Sequence, residues 1–377
     1  MITIGIDASR ANHEQKTGVE WYAWHLIEEF KVHSSKFMAE SSVHFILYSD
    51  EPLCGALAKL PSGWSSRVLS WPPKRLWTQV RLSFEMLIHP PDVLFIPAHV
   101  VPLIHPKKTV MTVHDIAAAR FPETYNWFER WYTLWSAKYA LNKLWRVIVP
   151  SDFTKNELLQ ATSYKLQAKV CVIPHGYDVR YGKRGTEEQM QNIFKKYGIE
   201  SPYIISVGRL ETKKNTWRIV EAFNKLSLQL KAYRLQLILV GQPGHGYERV
   251  RDAIDKSPYR DQIKELGWVG KDDLPFLVQG ASVFVFPSLL EGFGLPILEA
   301  FAAGTPVLTS RGGATEEVAG PAAVYVDPLN IEEIALQMHT LLESKELRDT
   351  LIMKGEERLH AYSWARCAAE TWNILRP

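Results

Sequence analysis

Short apolar runs rich in β-branched residues alternate with helix-like patterns along the whole chain. This alternation is typical of parallel βαβ units, because a parallel strand pair needs a crossover connection that is usually a helix. The predicted strands are residues 2–6, 43–49, 92–97, 109–114, 146–151 and 169–174 in the first half, and residues 203–208, 235–241, 263–269, 282–288, 306–310 and 322–327 in the second. With 377 residues the chain is too long for one ordinary core, so we expect two doubly wound α/β domains.

A stretch rich in proline and glycine between residues 174 and 202 interrupts this pattern and is the natural place for a linker. We predict a first Rossmann-like domain at residues 1–177, a linker region at 178–201, a second Rossmann-like domain at 202–360, and a C-terminal helix in 361–377 that packs back on the first domain. Two such domains would face a cleft lined by the carboxyl ends of their strands.

The composition is that of a globular protein, with 46% hydrophobic and 23% charged residues, and no apolar run reaches the ~18 residues of a membrane span. The net charge of +3 is too small to indicate nucleic acid binding. Residues 1–170 contain 19 Lys and Arg against 15 Asp and Glu, whereas the remainder contains 25 against 26. The basic excess of the first half is compatible with an anionic membrane surface and does not require one.

The three cysteines, Cys54, Cys171 and Cys367, are odd in number and far apart, which fits neither a disulfide framework nor a metal cluster. The first ten residues, MITIGIDASR, indicate a strand and not a signal peptide. We therefore expect a reducing, cytoplasmic location, either free or at the inner face of the plasma membrane.

The stretch SLLEGFGLPILEA, residues 288–300, joins a predicted strand to a predicted helix. Pro296 suits the first turn of that helix and Gly304 its C-terminal cap. Free N–H groups at the helix N-terminus favour an anionic ligand. Glu291 lies before the helix and Glu299 in its first turn, and both carboxylates can accept hydrogen bonds from paired hydroxyls. Alternatively, Glu299 only complements the helix dipole and Glu291 is a solvated loop residue.

Two other strand ends carry candidate residues. In VGRLETKKN, Arg209 and Lys214 can neutralise a diphosphate, with Lys213 as a less certain neighbour, although solvated surface charge explains them as well. In TVHDI, His114 follows a strand, where a histidine is usually structural.

TGVEWY places Gly18 at a helix start, where Thr17 and Glu20 have the form of a capping box that explains the residues without a ligand.

The order of these motifs resembles that of retaining GT-B glycosyltransferases, family 4 among them. The matching segments are TGVEWY, TVHDI, RFPETY, VPSDFTKNEL, VIPHGYD, VGRLETKKN, LILVG, FVFPSLLEGFGLPILEAFAAGTPVLTS and EEVAGPAAVYVDP. The two glutamates eight residues apart resemble the Glu-x7-Glu signature of that family. The resemblance covers nearly the whole chain.

The resemblance implies that the first domain lies on the acceptor side and that the second binds the nucleotide sugar. It also implies a role for each candidate residue. Glu299 would bind the ribose of a donor nucleotide and Glu291 the hexose that is transferred. Arg209 and Lys214 would stabilise the leaving diphosphate, and His114 would face the donor sugar, with Asp115 orienting its loop. The N–H groups of residues 293–295, Phe293, Gly294 and Leu295, would hold the sugar and phosphate, and Gly18 would approach the phosphates or the acceptor.

The resemblance to bacterial mannosyltransferases of surface polysaccharide synthesis favours GDP-mannose as donor, with a UDP-sugar as the other option, and a glycan or lipid-linked acceptor. No Asp-x-Asp follows a predicted strand, so we expect no metal and no cofactor. Alternatives are another GT-B enzyme, such as a UDP-GlcNAc epimerase or a sugar phosphorylase, and a non-catalytic protein that binds nucleotide sugars. A silent protein would be expected to lack Glu291, Arg209 or Lys214, and all three are present.

Residues 72–91, PPKRLWTQVRLSFEMLIHPP, are basic, aromatic and partly amphipathic. They would suit contact with lipid or a lipid-linked acceptor. The alternative is a surface helix whose apolar side packs on the first domain, and the spacing of the apolar residues favours this alternative.

Overall fold

The computed structural model describes residues 1–40, 42–71, 76–98, 100–120, 127–162, 169–229 and 234–376. These residues form two compact units, one made of residues 1–176 with 362–377 and the other of residues 177–361. Most of the motif RFPETY and the start of the 72–91 stretch lie outside the described residues.

The first unit is built on a parallel sheet. In the described residues it has seven strands in the order β3-β2-β1-β4-β5-β6-β7. The strands are β1 (Ile2–Asp7), β2 (Val43–Ser49), β3 (Trp64–Val68), β4 (Val93–Ile96), β5 (Lys108–Thr112), β6 (Arg146–Val149) and β7 (Val170–Val172). All pairings are parallel, for example Ile4 with Phe45 of β2 and with Val93 of β4.

Helices connect these strands, as the crossover rule requires. They are α1 (Gly18–Val32), α2 (Ser34–Glu40), α3 (Ser83–Ile88), α4 (Ala117–Arg120), α5 (Trp127–Lys143) and α6 (Asp152–Thr162). A π-helical turn, Thr78–Leu82, leads directly into α3. Its neighbour Trp77, together with Leu82 and Met86, packs into the core of this unit.

The second unit repeats the architecture with six parallel strands among its described residues, in the order β10-β9-β8-β11-β12-β13. The strands are β8 (Tyr203–Val207), β9 (Gln236–Val240), β10 (Ile263–Gly267), β11 (Val283–Phe286), β12 (Val307–Ser310) and β13 (Ala323–Val326). This order reverses direction between β8 and β11, as in the doubly wound Rossmann arrangement.

The helices of the second unit are α7 (Glu187–Tyr197), α8 (Thr216–Gln229), α9 (Tyr247–Asp255), α10 (Leu274–Gln279), α11 (Leu295–Ala303), α12 (Gly313–Ala319), α13 (Ile331–Glu343) and α14 (Lys345–Leu359). The segment 178–201, predicted as a linker, belongs to this unit and contains a 3-10 turn, Val179–Gly182, as well as α7.

The last helix, α15 (Trp364–Leu375), belongs to the first unit. Its Trp372 stacks on Phe37 with ring centres 4.5 Å apart. Gly176 passes so close to the start of α15 that a Cβ atom there would lie 2.1 Å from the Trp364 backbone nitrogen. Only glycine therefore fits at this crossing without a shift of the backbone.

The predicted strands are confirmed, each with boundaries within two residues of the observed ones. Strand β3 was missed because it is an edge strand in which three polar residues separate Trp64 from the exposed Val68, so it has no apolar run.

Candidate active site

Strands β8 and β11 flank the switch point of the second sheet, and each ends in a loop with predicted site residues. β8 is followed by residues 208–215 and β11 by residues 287–294. Ligands of open α/β sheets bind outside the carboxyl ends of the strands at such a point. The fold therefore brings the basic loop and the glutamate and glycine loop together where a ligand is expected.

Lys214 and Glu291 form an ion pair between these loops. Their Nζ and Oε1 atoms are 2.5 Å apart, and the side chains are only 19% and 11% exposed. The Lys214 ammonium also lies 5.0 Å from the centre of the Phe286 ring. The sequence assigned the lysine to the diphosphate and the glutamate to the hexose, and the structure places the two groups in direct contact.

Asn215 joins the two loops and is not among the residues predicted from the sequence. It is fully buried, and its φ of 62° lies in the left-handed region that asparagine tolerates better than most residues. Its Nδ2 donates to the carbonyl oxygens of Pro287 at 3.0 Å and Pro328 at 2.6 Å. Beside it, the Leu289 N–H donates to the Lys213 carbonyl at 2.9 Å. An asparagine just before a helix, in a loop after a strand, was the available signal.

Arg209 lies on the exposed side of the basic loop, with 60% of its side chain accessible to solvent. Its Nε atom is 3.8 Å from Oε2 of Glu211, and its Nη2 atom is 3.4 Å from the Pro243 carbonyl oxygen. Such long, exposed contacts contribute little energy. The guanidinium can therefore turn toward an anionic ligand at small cost.

The glycines of residues 241–246 allow a second loop to pack closely against the basic loop. A Cβ atom at Gly241 would lie 2.0 Å from the Gly208 carbonyl oxygen, and one at Gly246 would lie 2.1 Å from the Thr212 hydroxyl. The Thr212 N–H donates to the His245 carbonyl at 2.9 Å. Close packing between loops accounts for these glycines.

Helix α11 begins at this site. Gly294 precedes it with a φ of 111°, Pro296 lies in its first turn, and Gly304 ends it with a φ of 71°. The predicted positions of both Pro296 and Gly304 are confirmed. Phe293 is buried and Leu295 is partly buried, so residues 293–295 lie at the N-terminus of a nine-residue helix. That position suits an anionic group.

Glu299 does not lie in the first turn of α11, and this prediction was wrong. The helix starts at Leu295, one residue before Pro296, so Glu299 is its fifth residue. The carboxylate is partly buried and hydrogen-bonds to the Tyr181 hydroxyl. Burial and the nearby charge of Asp178 raise the pKa of Glu299 to about 7, although the Tyr181 hydrogen bond and the Arg180 charge act in the opposite direction.

Asp178 and Arg180 form a forked ion pair near Glu299. Nε of Arg180 lies 2.9 Å and 2.8 Å from the two carboxylate oxygens of Asp178, and Nη2 of Arg180 also donates to Oδ2. The sequence assigned no role to Arg180 or Tyr181, because they follow the motif VIPHGYD in the predicted linker. Their position beside Glu299 became visible only in the fold.

His114 and Gly18 belong to the first unit, whereas the other predicted site residues belong to the second. His114 is buried, and its Nε2 lies 3.0 Å from the Pro97 carbonyl oxygen. A carbonyl oxygen only accepts hydrogen bonds, so Nε2 carries the proton. The ring of His114 packs edge-on against the ring of Tyr22, with centres 4.7 Å apart, and its centre lies 5.4 Å from that of the His175 ring. Burial, together with the charge of His114, lowers the pKa of His175 well below its usual value.

Gly18 is the first residue of α1, and a Cβ atom there would meet open space. Packing within the chain therefore does not require glycine at this position. Glu20 accepts hydrogen bonds from both the N–H and the hydroxyl of Thr17, with the N–H bond at 3.1 Å, which confirms the predicted link between these two residues. Asp115, the residue after His114, accepts a hydrogen bond from the N–H of Ala117 at 3.0 Å.

Two protein families match this chain. Glycosyl transferases group 1 matches residues 189–358, and Glycosyltransferase Family 4 matches residues 17–181. The chain belongs to the group 1, family 4 glycosyltransferases. The family resemblance inferred from the motifs is thereby confirmed.

The relatives of this glycosyltransferase include bacterial mannosyltransferases. It is 28% identical to the O-antigen chain mannosyltransferase B of Escherichia coli over 271 residues, which are 72% of this chain and 70% of the relative. It is 30% identical to the serotype-specific mannosyltransferase WbdA of Escherichia coli over 182 residues, or 48% of this chain and 22% of WbdA.

Among solved structures, HepE of Anabaena in complex with UDP and glucose matches the glycosyltransferase with a TM-score of 0.75 and 17% identity, over 100% of this chain and 99% of HepE. A likeness at this identity concerns the fold alone. It confirms the predicted GT-B class with two Rossmann-like domains.

Within the described ranges, no group of three or more His, Cys, Asp and Glu side chains is arranged to hold a metal ion. A metal-independent reaction stays a prediction.

None of the helices in the described part of the chain is long and apolar enough to cross a membrane.

Proposed function

We propose that this glycosyltransferase moves a hexose from a nucleotide sugar to a hydroxyl of a glycan or lipid-linked acceptor, with retention at the anomeric carbon. The donor we propose is GDP-mannose, used in surface polysaccharide synthesis. The observation that carries the proposal is the Lys214–Glu291 ion pair at the switch point of the second sheet, at 2.5 Å. It combines a cation for a phosphate and a carboxylate for sugar hydroxyls in one place.

In this proposal the basic loop stabilises the leaving group. As the bond from the anomeric carbon to the diphosphate oxygen breaks, negative charge develops on the nucleoside diphosphate. Lys214 and the exposed Arg209 supply positive charge and N–H donors to it, which is the electrostatic contribution that commonly dominates enzyme catalysis. The Lys214 ammonium has three donors, and the bond to Glu291 uses one of them.

Glu291 then has two tasks. Its carboxylate accepts hydrogen bonds from hydroxyls of the hexose, and it holds Lys214 in place before the donor binds. A preorganised cation costs less reorganisation during the reaction than one that must be ordered first. Phe293, Gly294 and Leu295 at the start of α11 provide backbone groups for the sugar and phosphate.

Glu299 binds the ribose hydroxyls in its ionised form, since only a carboxylate accepts bonds from both hydroxyls. Tyr181 orients this carboxylate through its hydrogen bond. His114 faces the donor sugar, and its bond to the Pro97 carbonyl fixes the orientation of its ring. Gly18 leaves room at the start of α1 for the phosphates or the acceptor.

The mannosyl specificity is supported by two relatives that are named mannosyltransferases. The UDP and glucose in the HepE complex make UDP-glucose the donor to compare with GDP-mannose. These two donors differ in both base and sugar, so GDP-glucose belongs in the same comparison.

A thermal-shift panel of GDP-mannose, GDP-glucose, UDP-glucose and UDP-GlcNAc tests the donor, because a ligand that binds only the folded state stabilises it. We expect the largest shift with GDP-mannose, and a smaller one in the Glu291→Gln variant. A larger shift with a UDP-sugar would overturn the choice of donor.

Conversion of UDP-GlcNAc without any acceptor would favour the epimerase. EDTA is expected to leave transfer intact, and activity restored only by Mn²⁺ would contradict a metal-free reaction.

A further inference from the structure

The first unit carries an exposed apolar surface that the proposed reaction does not use. Of the eighteen large hydrophobic side chains exposed among the described residues, nine lie between residues 76 and 131. Four of these, Val80, Phe84, Leu87 and Ile88, lie on the π-helical turn and α3, and Leu76 lies two residues before the turn. Clustered exposed apolar residues of this size are unusual on a protein without a partner.

This helical stretch is apolar on two opposite sides. Trp77, Leu82 and Met86 are buried in the core, with exposures of 5%, 0% and 3%, whereas Phe84 and Leu87 are 55% and 61% exposed. Val80 and Phe84 are four positions apart, and Leu87 and Ile88 lie three and four positions after Phe84, which places these four residues on one side of the helix. Packing against the core therefore accounts for Trp77, Leu82 and Met86 and leaves the five exposed apolar residues of the 72–91 stretch without an explanation.

Two neighbouring segments continue the exposed side. The Ser83 hydroxyl accepts the N–H of Leu103 at 2.8 Å and of Ile104 at 3.3 Å, and both residues are exposed. Gln79 donates from Nε2 to the Tyr132 hydroxyl at 2.7 Å, which ties the helix to α5. We call the exposed apolar residues of 76–88, 103–104 and α5 the apolar face.

Helix α5 adds aromatic residues to the apolar face. Trp127 and Trp131 are 80% and 55% exposed. Trp131 stacks on Trp135 with ring centres 6.1 Å apart, and Trp135 on Tyr139 at 5.2 Å. Tryptophan and tyrosine are the residues that prefer the boundary between lipid and water, because one part of each ring is apolar and the other forms hydrogen bonds.

The charges around the apolar face are basic on the solvent side. Glu85, an acidic residue of α3, is buried and paired with Arg67 and Arg81. Lys107 and Lys108, which follow Ile104, are exposed. These lysines would repel the same lysines of a second copy of the chain and attract anionic headgroups.

We propose that the apolar face docks on an anionic phospholipid bilayer, with its leucines and tryptophans at the level of the headgroups and acyl chains. The lysines lie on the headgroup phosphates. This inference rests on the proposed function only in that a lipid-linked acceptor would give the docking a purpose. Binding to lipid vesicles is measured without any transfer reaction, so the two proposals fail separately.

Vesicle flotation of the full chain tests the docking, with vesicles of phosphatidylcholine alone and of phosphatidylcholine mixed with phosphatidylglycerol in equal parts. We expect binding to the mixed vesicles that weakens with salt. The double variant Leu87→Ser/Ile88→Ser should reduce the partition coefficient about tenfold or more, since it removes two exposed apolar side chains from the contact. Lys107→Gln/Lys108→Gln should weaken binding to the mixed vesicles about tenfold or more.

The matched control is Leu336→Ser/Met353→Ser in the second unit, where the two side chains are 57% and 65% exposed. It should float like the unaltered chain. The proposal is overturned if the unaltered chain stays with the unbound fraction, or if Leu87→Ser/Ile88→Ser and the control float alike. It is also overturned if the chain forms a dimer that the Leu87→Ser/Ile88→Ser variant dissociates, since the apolar face would then bind a second copy. Cooperative thermal unfolding without ligand checks that each variant is folded.

Discussion

Lys214 and Glu291 lie in direct contact between the loops that follow β8 and β11, with Nζ 2.5 Å from Oε1 and both side chains largely shielded from water. Removal of one member of a shielded pair costs more than the pair contributes, because the remaining charge loses its partner. The pair therefore couples the two halves of the proposed donor site, and a change at either residue should affect both catalysis and stability.

Lys214→Met should lower kcat by roughly 10²-fold or more, since it removes a cation from the leaving diphosphate. It should also destabilise the second unit, because Glu291 is left without its cation. Steady-state kinetics and thermal unfolding measure the two effects. Lys225→Met is the matched control, because Lys225 forms an exposed ion pair with Glu332 at 2.9 Å on α8. A Lys214→Met enzyme as fast as the control would remove Lys214 from the proposed mechanism.

Glu299 should make the stability of the second unit fall as pH rises. Its pKa is raised from 4.5 to about 7 in the folded chain, so the folded state holds a proton that the unfolded state releases. The contribution of the protonated carboxyl is fully present below about pH 4.5 and is lost as the pH rises through about 7, amounting to about 3 kcal/mol. The side chain of the Glu299→Gln variant stays uncharged. The melting temperature of this variant should therefore rise relative to that of the unaltered chain as the pH is raised from about 5 to about 8.

The control for this pH series is Glu343→Gln, at an exposed carboxylate at the end of α13. Its melting temperature should follow that of the unaltered chain at every pH. Equal pH profiles for Glu299→Gln and the unaltered chain would show that Glu299 is ionised in the folded protein at all these pH values. Donor affinity of the unaltered chain should fall below about pH 7 as Glu299 takes up its proton.

Tyr181→Phe should shift that fall in donor affinity to higher pH. The Tyr181 hydroxyl lowers the pKa of Glu299 through its hydrogen bond, so the variant should keep the carboxyl protonated to higher pH. Titration calorimetry with the donor over a pH series measures the shift. Tyr197→Phe is the matched control, since the Tyr197 hydroxyl also donates to a carboxylate, that of Asp273, at 2.7 Å. Superimposable affinity profiles for the two variants would contradict a link between Tyr181 and donor binding.

Substitution of Asn215 should separate backbone strain from hydrogen bonding. Asn215→Gly keeps the left-handed backbone and loses the bonds to Pro287 and Pro328, so it should destabilise the second unit by about 1–3 kcal/mol. Asn215→Ala loses the bonds and strains the backbone, and should cost about 1 kcal/mol more. The urea midpoint of the second unit measures both. The control is Asn142→Ala, at an exposed asparagine of α5, which should change the urea midpoint little. Equal destabilisation by Asn215→Gly and Asn215→Ala would exclude a contribution from the left-handed backbone.

Much of the fold was readable from the sequence because it depends on short-range pattern. Apolar runs in a βαβ series predicted the strands with the correct type, and Pro296 and Gly304 marked the two ends of α11. The edge strand β3 was not predicted because its exposed polar residues leave no apolar run in the sequence. Candidate residues at strand ends could be named because strands of a parallel sheet end at one edge, where ligands bind.

The sequence alone determined the fold class, the family and the loops that carry the candidate residues, since these follow from periodicity, turn chemistry and motif order. The tertiary structure decided how those residues are paired. Lys214 and Glu291 are separated by 77 positions, and Tyr181 and Glu299 by 118, so no local pattern links them. Their contacts and the raised pKa of Glu299 depend on which loops the sheet brings together and on how much water the packing excludes.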